Sequence, residues 1–147
     1  MKIQFTVFGV AQPGGSKKAF PFRKPSGHFG VTVTDANAKV HDWKKTVAWT
    51  ARENYSGELL VGPLRLTLNF FRPRPRSHYG SGKNAETVRQ FAPAYPVSRP
   101  DSTKLLRAVE DALSGVLYFD DAQIIEQFVS KRWGMPARVE IIVETIE

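Results

Sequence analysis

At 147 residues, the chain can bury roughly 68–70% of its unfolded surface as one domain, so folding requires neither disulfides nor a structural metal. It contains no cysteine, which excludes thiol catalysis and Cys-ligated zinc and fits a reducing cytoplasm. A net charge of +7 and an isoelectric point near 9.9 point to a polyanionic partner, and no apolar run is long enough to cross a bilayer.

In chain order, residues 2–10 alternate apolar and polar as a first strand and lack the apolar block of a signal peptide. Residues 11–29, rich in Gly, Pro, Lys and Phe, read as a loop or irregular hairpin. Within them Lys17, Lys18, Arg23 and Lys24 form a basic cluster without an acid. Residues 30–34 read as a second strand. Asp35 stands where a helix N-cap would, ahead of Val40, Trp43, Val47 and Ala51 at helical spacing, and Gly57 closes that helix. In 63–71, Leu64, Leu66, Leu68 and Phe70 alternate with Arg65, Thr67 and Asn69, giving the clearest strand. Trp43, Trp49 and Phe70 are expected in the core, and His28 and His41 at the surface.

Arg-Pro-Arg-Pro-Arg at 72–76 cannot continue as a central strand, because each proline lacks a ladder donor. The stretch 72–99 is then a long basic loop, functional or disordered, that orders on a DNA partner. Between Arg72 and Arg107 lie eight Lys/Arg against Glu86 and Asp101, so six of the seven net charges sit there. Arg72, Arg74, Arg76, Lys83, Arg99, Lys104 and Lys131, with Lys17 and Lys18, are candidate DNA-backbone contacts, and His78 is a further one. Gly-Ser-Gly-Lys at 80–83 lacks both Walker spacing and a preceding strand and is set aside. Residues 102–113 read as a second helix, N-capped by Asp101, with Leu105, Val109 and Ala112 on one face. Residues 116–133 read as extended, broken near Asp120-Asp121, and 138–143 as a last strand hairpinned to them through Gly134-Met135-Pro136. The fold class that follows is α+β, a single domain over 1–147 with a mixed or antiparallel sheet and two main helices.

The acidic residues carry the chemistry. Twelve helical residues rise about 18 Å, and an extended return from Ser114 to Asp120 covers roughly 23 Å. A backtracking strand would therefore set Asp120 and Asp121 beside Asp101 at the helix N-terminus. Asp101, Asp120 and Asp121 are then candidate ligands of Mg²⁺, a hard cation that takes oxygen donors. Such an ion polarises a phosphoryl oxygen, activates water and stabilises a leaving 3′-oxygen, which phosphodiester hydrolysis needs. Arg107, one turn beyond Thr103, leans toward the same end and would hold the scissile phosphate. Each residue also has a plainer role: Asp101 as a cap, Asp120-Asp121 as a solvated turn, Arg107 paired with Asp111. Asp111, about 15 Å along the helix from Asp101, is read as structural.

Pro100-Asp101, Leu105, Arg107 and Asp111-Ala112-Leu113, followed by Asp120-Asp121-Ala122-Gln123-Ile124, together resemble the RusA family of Holliday-junction resolvases. The resemblance covers about the last third of the chain. It implies a homodimer that cuts four-way DNA junctions symmetrically with Mg²⁺, or Mn²⁺ in its place, often encoded by phages or prophages. It implies Asp101 and Asp121 as catalytic aspartates, Arg107 at the position of a functional lysine, and Lys131 at a basic position. Thr103-Lys104 stand where many members carry a second aspartate followed by asparagine, which leaves Thr103 to orient water and Asp120 to compensate. The leading reading is a resolvase. The alternatives are a non-catalytic junction- or single-strand-binding protein stacking Tyr79, Phe91 and Tyr95 on bases, and a structural or ribosome-associated basic protein.

Overall fold

The computed structural model describes residues 1–15 and 17–147, with Asp35 through its backbone alone. Its elements in chain order are β1 (Lys2–Phe8), β2 (Lys17–Arg23), β3 (Phe29–Asp35), α1 (Val40–Asn54), β4 (Leu64–Arg72), α2 (Ser102–Leu113), β5 (Ile124–Trp133) and β6 (Arg138–Thr145). Alternation decides the main sheet. Leu64, Leu66, Leu68 and Phe70 of β4 are fully buried, as are Val139, Ile141 and Val143 of β6 and Val7 of β1. Both helices cover this face, α1 through Val40, Trp43, Val47 and Ala51, α2 through Leu105, Ala108, Val109, Ala112 and Leu113. Burying each such side chain stabilises the fold by about 1.5–3 kcal/mol.

The sheet order is β1-β6-β4-β5, with β5 parallel to β4 and the other neighbours antiparallel. The final hairpin expected from sequence is therefore absent: β4 lies between β5 and β6. The reason is burial. β4 is the most apolar strand and takes a central place, so the 134–137 connection crosses its end, where the Gly134 amide donates to the Arg72 carbonyl. A Cβ on Gly134 would stand 2.8 Å from Cδ1 of Phe71, so the crossing requires glycine.

Other expectations are resolved or corrected. Of the two readings of residues 11–29, loop or irregular hairpin, the second holds for 17–29: β2 pairs with β3 in a separate two-stranded hairpin. Asp35 ends β3 and does not start α1, whose first residue is Val40; its side chain lies outside the described residues. Helix α1 ends at Asn54 with Tyr55 extended, so Gly57 does not close it. Trp43 and Phe70 are buried as expected, but Trp49 is 65% exposed.

Among the described residues, no helix is long and apolar enough to cross a membrane.

Candidate functional site

The segment after β1 straps across α2. The Gly14 amide donates to the Lys104 carbonyl at 2.9 Å, and a Cβ on Gly14 would stand 3.2 Å from that of Ala108. This contact brings Gln12 and Pro13 up to the start of α2. Between strap and helix opens a cleft of about 520 Å³ lined by Gln12, Pro13, Ala36, Asn37, Arg72, Arg99, Pro100, Asp101 and Lys104. Arg72 is half-buried there and donates to the Ala11 carbonyl at 3.0 Å, and burial lowers its pKa. A desolvated guanidinium with donors to spare is suited to an oxyanion.

Asp101 stands at the N-cap position of α2, but its side chain makes no capping bond; only its carbonyl accepts, from the Lys104 and Leu105 amides at 3.1 Å each. Its carboxylate is exposed at the mouth of the cleft. Arg107 is also exposed, and its stem lies against Gly15, where a Cβ would meet Cδ at 2.7 Å. It does not pair with Asp111, which instead bonds Lys44 at 3.3 Å. Thr103 is exposed on the first turn of the helix.

Asp120 and Asp121 lie elsewhere. The segment after α2 turns at once instead of extending. The Gly115 amide bonds the Tyr118 carbonyl at 2.7 Å, and the buried Tyr118 hydroxyl donates to the Glu110 carbonyl at 3.0 Å. The return along the helix is made later, by β5, whose Gln127 donates to Glu110 and whose Lys131 donates to the Pro100 carbonyl. Strand structure thus begins at Ile124, not 116. Asp120 and Asp121 consequently stand near Glu110, nine residues and about 13 Å along α2 from Asp101. Within one chain the structure does not bring Asp101 together with Asp120 and Asp121.

Asp120 caps the single 3₁₀ turn Asp121–Gln123 by accepting from the Ala122 amide at 2.8 Å, and the Gln123 side chain accepts from the Asp120 amide in return. Gln123 also donates to the Leu60 and Gly62 carbonyls, which fixes the pair against the body. The Ala122 bond, then one from Asp121, holds the Asp120 carboxyl below the usual range. Asp121 is pushed up, first by that hydrogen bond to Asp120, then by desolvation and the charge of Asp120. Glu110 is also raised, mainly by burial and then by the charge of Asp121. Sequence reasoning passed over Glu110. The signal was its place one turn beyond Leu106, at the edge of the apolar stripe. Among the described residues, no three acidic or histidine side chains close around one point as a metal cage. The donor type nevertheless suits Mg²⁺, which commonly takes one or two carboxylates and fills its shell with water.

The basic loop is ordered. Trp133 Nε1 and Arg74 both donate to the Pro93 carbonyl, at 3.1 and 2.8 Å, and His78 packs edge-on against Trp133 at 5.3 Å. Arg89 donates to the Tyr79 carbonyl across a Tyr79–Val88 bridge. Arg76 and Lys83 remain exposed on this scaffold, while Lys131 is occupied by the Ser98 and Pro100 carbonyls. Lys17 and Lys18 are exposed on β2.

The sequence profile described as Endodeoxyribonuclease RusA matches residues 18–144. The chain belongs to the RusA endodeoxyribonuclease family. A curated relative, "Uncharacterized protein YqaN" of Bacillus subtilis (strain 168), is 28% identical over 146 residues, covering 98% of this chain and 96% of that protein. The α+β architecture, with two helices against a mixed sheet, agrees with the membership.

Proposed function

We propose that this RusA family member is a Mg²⁺-dependent, structure-selective endodeoxyribonuclease that resolves Holliday junctions as a homodimer, in the cytoplasm, with Mn²⁺ able to replace Mg²⁺. One observation carries the reading: Asp101 heads α2 with its carboxylate free of capping duty, in a cleft also walled by Arg72, Arg99 and Lys104. A phosphate bound together with a divalent cation answers both signs of charge at once.

A second copy accounts for the separation of the acids. β5 is an edge strand with Ile125 and Phe128 exposed, the kind of edge that proteins cover. A two-fold axis beside β5 sets the two copies antiparallel, with the start of one α2 beside the end of the other. Asp101 then faces Asp121 of the partner subunit, and these two carboxylates would hold the ion, with Asp120 fixing the orientation of Asp121. When bound, the ion supplies Lewis-acid polarisation of the scissile phosphate and lowers the pKa of water. Arg107, with Arg72, Arg99 and Lys104, holds the phosphate, and Thr103 orients the attacking water. Arg74, Arg76 and Lys83 on the ordered loop, and Lys17 and Lys18 on the hairpin, contact flanking phosphates. Lys131 keeps the 98–100 backbone in place beneath Asp101.

The test is incubation of a synthetic four-way junction with Mg²⁺. Paired nicks are expected, with cleavage falling at least about 100-fold for Asp101→Asn or Asp121→Asn while binding is retained. Thr103, in place of a further acid, favours a second reading, a binding-only protein. Shifted but uncut junction with the unaltered protein would establish that reading and sink the first.

A further inference from the structure

The β2–β3 hairpin presents two exposed faces. Every side chain of β2 is exposed, and its strands pair only with each other. Register sorts the side chains. Phe20 opposes Thr32 and Phe22 opposes Gly30, with Lys18 opposite Thr34, all on one face. Ala19 opposes Val33 and Pro21 opposes Val31 on the other. Phe20 and Phe22 are 50% and 45% exposed, Val31 and Val33 65% and 62%. The Phe22 ring and the Lys24 stem both lie over Gly30, where a Cβ would stand 2.7 Å from Cζ of the ring and 3.0 Å from Cε of the lysine. Aromatic surface and cation are thus presented together. Segment 17–24 carries four cations and no acid.

Two-stranded hairpins are marginal alone and need something against their apolar faces. A globular partner would cover one face and leave the other wet. The opened centre of branched DNA presents stacked base surfaces on two sides, with phosphates around the rim. We propose that the hairpin is a wedge inserted at the DNA branch point, its Phe20–Phe22 face stacking on exposed bases while Lys18, Arg23 and Lys24 contact the surrounding phosphates. This rests on the branched-DNA reading of the substrate and gives that reading its source of structure selectivity. Ring-on-base stacking tolerates any sequence, because every base has a π face. Apolar side chains driven between base steps are a general device for unstacking DNA.

The experiment uses the full chain in EDTA, so that no cleavage enters. A four-way junction carries 2-aminopurine either at the branch point or mid-arm, and affinities for junction and duplex are measured in parallel. The unaltered protein is expected to raise fluorescence at the branch point alone. Phe20→Ala/Phe22→Ala should abolish the rise and cut the preference for junction over duplex by about ten- to a hundredfold, with duplex affinity, Tm and dimer mass unchanged. Phe20→Trp/Phe22→Trp should keep both the rise and the preference. Retained preference in the alanine variant, equal loss on junction and duplex, or a fall in dimer mass would each overturn the wedge; the last would make the hairpin a clasp for the second copy. Cleavage by Asp101→Asn is scored separately, so a failed nuclease reading leaves this result standing.

Discussion

Two aspartates at formally similar positions do different work, and stability measurements can separate them. Asp120 accepts from the Ala122 amide within a reciprocal cap, so Asp120→Ala should lower the melting temperature. Asp101 occupies a cap position without capping, so Asp101→Ala should leave thermal unfolding within about a degree or two of the unaltered protein. Equal losses in parallel melts would refute the assignment. Glu110 offers a pH test. Its pKa is raised in the folded state by burial and by Asp121, so the folded chain binds that proton more tightly than the unfolded chain. The resulting penalty is absent below the ordinary carboxyl value and grows as pH rises from there through the folded one. Glu110→Gln in metal-free protein should therefore raise Tm near neutral pH and give no gain at pH 3.5. A gain that is constant with pH would mean that charge is not its cause. The acids themselves were legible in the sequence; the end of the helix at which Asp120 and Asp121 stand was not. That depended on whether residues 114–119 turn or extend, and Gly115 with the Tyr118–Glu110 bond decides for the turn.

Elements with a strong internal period were readable from sequence, and their partners were not. The alternation in β4 and the stripe Val40, Trp43, Val47, Ala51 gave their buried faces directly. Trp49 could have been placed as well, since two residues from Val47 is a rotation of about 200°, onto the opposite side of the helix. The pairing of β6 with β4 and β1 instead of β5 is a non-local competition, and proximity in sequence misleads there. The hairpin 17–35 was offered by the sequence only as an alternative to a loop, because it buries almost nothing and no hydrophobic pattern marks an inner face. The strap before it is the most testable of these elements. Gly14→Val would force side-chain atoms onto Ala108, pushing residues 11–15 off α2 at a cost of about 1–3 kcal/mol. Because the Ala11 carbonyl accepts from Arg72, the same change should loosen the cleft and weaken DNA binding as well as stability. A melt and a binding titration on the same sample check both. Lost stability with intact binding would disconnect the strap from the site.

At the scale of the whole molecule, the question is whether the two aspartates of the proposed active centre come from one chain or two. In a single chain they are held apart by most of the length of α2, a rigid spacer that no side-chain motion can shorten. If each centre combines Asp101 of one copy with Asp121 of the other, two dead variants should rescue each other. A dimer of one Asp101→Asn chain with one Asp121→Asn chain has both lesions in one centre and an intact pair in the other. Mixing the variants and allowing subunits to exchange makes half the dimers mixed, each with one working centre of two. Cleavage should then return to roughly a quarter of the normal number of active centres, a fraction that follows from two-fold symmetry. Because a mixed dimer has only one working centre, its products should be singly nicked junctions instead of resolved duplexes. If each centre were built within one chain, every centre in every dimer would carry a lesion and mixing would restore nothing. Denaturing gels score the nicks and native gels the resolution, so activity and its pairing are read from the same reaction. An inert mixture, with exchange verified by differently tagged chains, would rule out the composite centre.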